Sequence, residues 1–596
     1  MSSVPERGEI DPEYKWDLDG VFASDDAWRE AFEDVRERIP EVAEYEGRLT
    51  ESAGTLLEAL ETYEDVMRDV ATVSTYANLR SSEDTRVDEY QAMATRAESL
   101  AAEARSAASY VEPELQELDE ETFEAYVEAE PDLAAYEHMV EDARRMRPHT
   151  RSPEVEELLA DLSEVTDAAS DVYSMLTNAD MSFPEVERPD GEAVEITLGN
   201  FTKLQKHPDR AFRRDVHEAF YDRWAEVRNA VGTALTKSVK SDVKLARVRD
   251  YDTAREAALD GPNVPVAAYD TLVDTVDERI DALHRHADLK RRALGVETLR
   301  PWDLYASTTG DDSPEVPYED AVEYVVDAVE PLGEEYQSRM AEGLDSRWVD
   351  VYESRGKRSG AFSSGTYDTQ PFVLMNYQDD VSSMYTLAHE LGHSMHSLLA
   401  NEAQPWQYSD YEIFVAEVAS TVNETLLTHH LLETVEDEAF RHFVLDEYLE
   451  RVRSTLFRQT MFADFELAIH EVVEDGRALT PDRFDELYRE RKARYYGPAE
   501  LDDRIDREWM RIPHFYYGYY VYQYATGISA AIDVVDRIRD GPAGAASDYL
   551  EALRLGGSAY PVDILDRAGV DVTDAGYVET AIDTYEETLD ELDALL

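Results

Sequence analysis

From Asp25 to about Met181 the apolar positions recur at helical spacing, broken by polar joints, as in MATRAESLAAEARSAASYV from Met93 and SPEVEELLADLSEVTDAASDVYSMLTN from Ser152. Ser152-Pro153, with Glu156 close behind, has the form of a helix start. The pattern changes at FPEVERPDGEAVEITLGNF, Phe183 to Phe201, where an Asp190-Gly191 turn between short alternating runs predicts a hairpin. A boundary near residue 200 therefore separates an N-terminal helical lobe, 1–200, from a second region, 201–596. Helical periodicity resumes in HPDRAFRRDVHEAFYDRWAEV and VAAYDTLVDTVDERIDALHRHADLKRRAL. Between Ser359 and Asp380, SGAFSSGTYDTQPFVLMNYQDD predicts a strand or pair of strands. The fold class is mostly α, with a small β-sheet beside the helix that follows, and no repeat of about twenty to fifty residues is present.

That following helix, TLAHELGHSMHS from Thr386, places three histidines and a glutamate in eight positions. Leu387, Leu391, Met395, Leu398 and Leu399 supply an apolar stripe, and His389 and His393, at i and i+4, project from one face close enough to share a cation. Glu390 lies beside them as a candidate base. Neutral imidazoles suit zinc, and three protein ligands leave a position for water. A polar patch on a helix would share this spacing, so the third ligand matters. YEIFVAEVASTVNETLL, from Tyr411, offers Glu412, Glu417 and Glu424. The Glu412 spacing resembles that of zinc aminopeptidases, whose Gly-x-Met-Glu-Asn signature is missing here. Glu417 shares a helical face with Thr421 and Glu424 and is the favoured ligand. Glu424 either orients a histidine from behind or sits on the helix surface. His396 is left out of the ligand set.

RIPHFYYGYYVYQYATG, from Arg511, crowds His514 and six tyrosines together. On one continuous helix, Tyr517, Tyr520 and Tyr524 share a face at i, i+3 and i+7, with His514 a turn earlier. Phenol and imidazole donors of this kind stabilise a tetrahedral oxyanion, although an aromatic helix packed in a core has the same pattern. Gly360 and Gly365 in the strand segment allow close backbone approach, and an exposed strand edge there would accept an extended peptide.

Composition narrows the chemistry further. With no cysteine, thiolate metal sites and cysteine nucleophiles are excluded. The net charge of −74 repels phosphate backbones and anionic lipid, so nucleic-acid and membrane partners are not expected. Lysine is scarce, Lys15 being the only one between Met1 and Asn200. An acidic, lysine-poor, arginine-retaining surface fits a cytoplasm of molar salt, where screening acts over about 3 Å. The N-terminus MSSVPERGEIDPEYKWDLDG has no charged-then-apolar leader, and no apolar run of membrane-spanning length occurs, which predicts a cytoplasmic protein.

TLAHELGHSMHS, the preceding GAFSSGTYDTQPFVLMNYQ, the following FVAEVASTVNE and the late PHFYYGYYVYQYATG together resemble oligoendopeptidase F, within the thimet-oligopeptidase-like zinc peptidases, as do YKWDL near the N-terminus and PWDLYA from Pro301. The resemblance implies two helical lobes flanking a deep channel that admits short unstructured peptides. It implies one zinc ion per chain, held by His389, His393 and Glu417, with Glu390 as general base. His514, Tyr520 and Tyr524 would contact the substrate carbonyl or oxyanion. The alternatives are an exopeptidase, either an aminopeptidase using Glu412 or a carboxypeptidase, and a helical peptide-binding protein without turnover. Oligomeric state and cleavage preference are not encoded in any motif.

Overall fold

The computed structural model describes residues 4–309 and 313–596. Most of the chain is helical. The strands are short: β1 (Glu185–Glu187), β2 (Ala193–Glu195), β3 (Val349–Tyr352), β4 (Phe362–Ser364) and β5 (Phe372–Tyr377). Two compact units form, each from three separate stretches: Met1–Pro148, Glu315–His430 and Arg537–Gly569 in the first, His149–Pro314, Leu431–Asp536 and Val570–Leu596 in the second. These units are groupings in space, whereas a boundary near residue 200 is a division along the sequence. No described helix is long and apolar enough to cross a membrane.

In the first unit, helices Asp25–Ala43 and Ala53–Glu83 start at Ser24 and Ser52, whose hydroxyls accept the N–H groups of Ala27 and Thr55. With Asp88–Ala107 they bury Trp28, Val66, Val70, Val73 and Leu100 in one core with Phe372 and Leu374 of β5. β5 is the central strand in the order β3-β5-β4, parallel to β3 and antiparallel to β4. Side chains alternate across a strand, so Val373 and Met375 point away from that core, and helix Val381–Ala403 packs on β5 and β4. Burial on both faces explains why this strand reads as the unbroken apolar run FVLM. The expected pair of strands before the histidine helix is thus β4 and β5. The YKWDL segment docks on the same unit: Trp16 packs in the core and donates its indole N–H to Glu83 at 2.9 Å, while Arg347 reaches the Lys15 and Trp16 carbonyls.

The second unit is organised around helix Arg210–Val248, which buries Phe220, Trp224, Val231, Leu235 and Val239. The predicted hairpin forms as β1 paired with β2, turning through Gly191 at φ +89°, and the preceding Phe183 stacks on Phe220. In PWDLYA, Asp303 is fully buried and binds Arg210 at 2.7 Å and Arg213 at 2.9 Å. The Trp302 carbonyl accepts a further N–H from Arg213. These two motifs are therefore ties within the fold.

Candidate metal and catalytic site

Helix Val381–Ala403 begins at Asp380, whose carboxylate accepts the Ser383 N–H at 2.8 Å. Leu387, Leu391, Met395 and Leu399 are all buried and fix its rotation. Each such side chain contributes about 1.5–3 kcal/mol of burial. With that stripe inward, His389 and His393 come together on the neighbouring face, their Nε2 atoms 3.2 Å apart. Helix Ile413–Thr434 brings Glu417 to 3.7 Å from His389 and 3.9 Å from His393. Among the described residues these three form the one cluster fit for a metal ion, their ligand atoms within 4.8 Å of one another. Two ligands bonded at about 2.0–2.1 Å to a shared tetrahedral ion stand about 3.3 Å apart, so the histidine separation fits zinc.

Glu424 completes the arrangement from behind. His389 donates from Nδ1 to the Glu424 carboxylate at 2.7 Å, which leaves Nε2 free of a proton and available to a cation. Burial, reinforced by His389, pushes the His393 imidazole down to about 3, which keeps it neutral. Glu412 is not in the cluster; it lies at the start of the helix, where its carbonyl accepts the Val415 and Ala416 N–H groups. His396 is also outside it, buried and stacked on Tyr411 with ring centroids 3.5 Å apart.

Gly392 allows helices Val381–Ala403 and Ile413–Thr434, which carry the cluster, to approach. A Cβ at that position would stand 2.6 Å from the Ser420 Cα and 2.7 Å from the Ala419 carbonyl oxygen. Gly392→Ala is expected to push helix Ile413–Thr434, and Glu417 with it, away from the histidines. Metal affinity should fall about 10- to 100-fold, the range seen when ligand support is lost, and stability by about 1–3 kcal/mol from overpacking. Competition with a fluorescent zinc chelator measures the first. An unchanged affinity would show that the helices do not depend on this close approach.

Glu390, 7% exposed, follows His389 by one residue and precedes His393 by three. Burial raises its carboxyl above the usual carboxylate range, offset by the neighbouring His389 and by a backbone hydrogen bond from Ser363 of β4. Ser363 also shares a hydroxyl hydrogen bond of 2.9 Å with Ser394, tying β4 to the helix. Beyond β4 lies a cavity of about 740 Å³ within the first unit, lined by Ser364, Gly365, Asn401, Trp406 and Tyr411 among others. β4 is an edge strand of its sheet and lines this cavity.

His514, Tyr520 and Tyr524 belong to the second unit. The expectation of one continuous helix from His514 to Tyr524 is not met. His514 lies in a short 3₁₀ turn, Pro513–Tyr516, then Gly518 and Tyr519 adopt φ +57° and +55°, and the α-helix begins only at Tyr522. Two consecutive left-handed residues cannot continue a right-handed helix. The rings still gather. His514 lies 6.0 Å from Tyr520 and 5.8 Å from Tyr524 between centroids, and Tyr520 lies 5.4 Å from Tyr524. The turn also sorts the tyrosines: Tyr519 and Tyr522 are buried, Tyr517 is exposed, and Tyr520 and Tyr524 are partly exposed. Burial, with Arg458 nearby, lowers the His514 imidazole and favours its neutral form.

Two groups that hold this turn have no signature in the sequence. Buried Glu466 accepts the Tyr519 N–H at 2.7 Å and so supports its unusual backbone conformation. Fully buried Glu508 binds Lys492 at 2.7 Å, Arg458 at 2.9 Å and Arg511 at 3.1 Å, and accepts the Tyr488 hydroxyl at 2.8 Å. Arg511 is three residues before His514, so this charge cluster anchors the turn's entry.

The sequence profile of Peptidase family M3 matches residues 203–584, and that of Oligopeptidase F matches 114–183. Oligopeptidase PepF of Bacillus subtilis is 42% identical over 100% of this chain and 89% of its own length. Group B oligopeptidase PepB of Streptococcus agalactiae is 40% identical, over 99% of this chain and 98% of its own. The crystal structure of oligoendopeptidase-F from Enterococcus faecium superposes with a TM-score of 0.73 at 36% identity, covering 96% of this chain and 99% of that one. The sequence match runs through both helices that carry the His389–His393–Glu417 cluster and through the His514 turn, and on that ground the chain belongs to peptidase family M3, in its oligoendopeptidase F group, and is a metalloendopeptidase.

Proposed function

We propose that this protein is a zinc-dependent oligoendopeptidase that hydrolyses internal bonds of short, unstructured peptides in a salt-rich cytoplasm. The observation that carries the zinc assignment is the His389–His393–Glu417 cluster, with His389 held in the metal-ready tautomer by Glu424. A zinc ion bound there supplies Lewis acidity and makes water acidic enough to lose a proton near neutral pH.

The chain's own residues do the remaining work. Glu390 accepts the proton of the attacking water and delivers it to the leaving amine. The free edge of β4 pairs with the extended peptide backbone, and the cavity beside it receives side chains. His514, Tyr520 and Tyr524 donate hydrogen bonds to the carbonyl oxygen as negative charge develops on it, and their clustering supports a shared role. The acidic, lysine-poor composition supports the high-salt setting and argues against nucleic-acid or membrane partners.

The test is cleavage of a doubly blocked, internally quenched peptide of about ten residues in molar potassium chloride, with and without chelator, alongside metal analysis. Internal cleavage that chelator abolishes and zinc restores, with about one zinc per chain, is the expected result for a three-ligand site. Folded, metal-loaded protein that leaves this peptide whole would overturn the reading.

A further inference from the structure

The chain has nine lysines, and three of them, Lys237, Lys240 and Lys244, occupy successive turns of helix Arg210–Val248. All three are exposed, and among the described residues none has an acidic side chain within ion-pair reach. They line a groove of about 670 Å³ within the second unit, whose other wall is the helix pair Pro153–Thr166 and Ala168–Met175. Its lining contains no aspartate or glutamate, in a chain with 131 of them. A surface made acidic only for solubility would not spare one groove and concentrate lysine in it.

The opposite wall is apolar and uncovered. Val165 and Val172 line the groove while 69% and 57% exposed, and Leu158, Leu162 and Met175 on the same helix pair are exposed too. Helix Pro153–Thr166 buries no residue at all. Across the groove, Ala230 and Ala234 leave room for inserted side chains.

From these features we infer that this groove binds an extended peptide segment in which acidic and apolar residues alternate. Along the helix, Lys237, Lys240 and Lys244 are separated by rises of about 4.5 and 6 Å. Carboxylates at every second residue of an extended peptide recur at about 6.6–6.8 Å, a spacing that flexible lysine side chains span. The intervening side chains point the other way, into the valine and alanine wall. A polyphosphate would meet the same lysines but has no apolar side chains to occupy the valine and alanine wall.

The groove adjoins the His514 turn. Tyr173, buried behind the wall on helix Ala168–Met175, stacks on Tyr516 at 4.6 Å, and the Tyr516 hydroxyl donates to the Val231 carbonyl, on the lysine helix, at 3.4 Å. The bound segment is accordingly the distal part of a substrate peptide, a role that rests on the peptidase reading above. Acidic peptides, which the protein's own charge would otherwise turn away, become preferred substrates.

The test pairs kinetics with direct binding at the lowest potassium chloride concentration that preserves near-UV circular dichroism. A quenched neutral peptide is extended, at either end in turn, by Asp-Val-Asp-Val-Asp or by Asn-Val-Asn-Val-Asn. KM should be about tenfold lower for one Asp extension than for its Asn counterpart, as three exposed ion pairs together provide. The triple variant Lys237→Glu, Lys240→Glu, Lys244→Glu should abolish that difference and leave kcat and KM for the unextended peptide unchanged; arginine at the three positions should keep it. Fluorescein-labelled Asp-Val-Asp-Val-Asp-Val, followed by anisotropy on hydrolysis-deficient Glu390→Gln, should lose affinity by a similar factor in the triple variant. Equal KM for the Asp and Asn extensions, or anisotropy unmoved by charge reversal, overturns the groove assignment while leaving the peptidase reading intact. Loss of self-association in the triple variant would instead make the occupant a second copy of the chain and also overturn it. Should no peptide be cleaved, the peptidase reading fails and the anisotropy result alone decides the groove.

Discussion

Glu390→Gln is expected to lower kcat by about 10²- to 10⁴-fold, the usual contribution of a positioned general base, with metal content and folding unchanged. The amide has nearly the carboxylate's shape, so it fits the same buried position beneath Ser363 and keeps the packing between helix Val381–Ala403 and β4. It does not belong to the His389–His393–Glu417 cluster, so zinc stoichiometry should stay at the wild-type value. What the amide lacks is basicity. A loss confined to kcat, with peptide affinity retained, is the signature of a group that acts in the transition state. Single-turnover kinetics on the quenched peptide, with zinc measured on the same sample, makes the distinction. Turnover within threefold of wild type would remove Glu390 from the proton-transfer role. Lost zinc would show instead that the substitution had disturbed the metal cluster.

How much of this site can be read from sequence depends on how local its geometry is. His389 and His393 are legible because i and i+4 are neighbours on any helix, and Leu387, Leu391, Met395 and Leu399 say which way that helix turns. Glu417 and Glu424 are legible as a pair for the same reason, once a second helix is inferred. The Arg511 to Tyr524 stretch is harder. Its aromatic spacing imitates a helix, and the glycine within it, a recognised breaker, is the local sign that Gly518 and Tyr519 turn left-handed. Tyr519 is no usual residue for that conformation, and its support comes from Glu466, more than fifty positions earlier. No periodicity reports a contact of that range. The spatial units are equally opaque to a reading along the chain, because each gathers three separated stretches. β5 illustrates the point: its burial depends on N-terminal helices roughly three hundred residues away.

The same limit applies to Glu508, whose loss should produce the largest effect on stability. Glu508→Gln is expected to destabilise the second unit by about 3–5 kcal/mol, the cost of stranding buried charge. The carboxylate is fully buried and faces Lys492, Arg458 and Arg511, with Lys492 itself only 2% exposed. Removing one negative charge leaves three cations without their common partner, Lys492 buried and Arg458 and Arg511 only 14% and 13% exposed. Burial alone would raise its carboxyl, but the charges of Lys492, Arg458 and Arg511 together outweigh it and hold Glu508 well below the usual carboxylate range. A group with a depressed folded-state pKa contributes stability above its unfolded value, about 4.3, and that contribution disappears as pH falls through the folded value. Wild-type protein should therefore lose this stabilisation only in strong acid, and the variant should lack it at neutral pH. Arg511 leads directly into Pro513 and His514, so activity is expected to fail before global unfolding. Thermal melts at pH 7 and pH 4, paired with residual peptide cleavage, measure both effects. A variant that melts within about 2 °C of wild type at pH 7, too small a shift for a loss of several kcal/mol, would mean that the surrounding cations are neutralised by other means and that Glu508 is not the anchor of the turn.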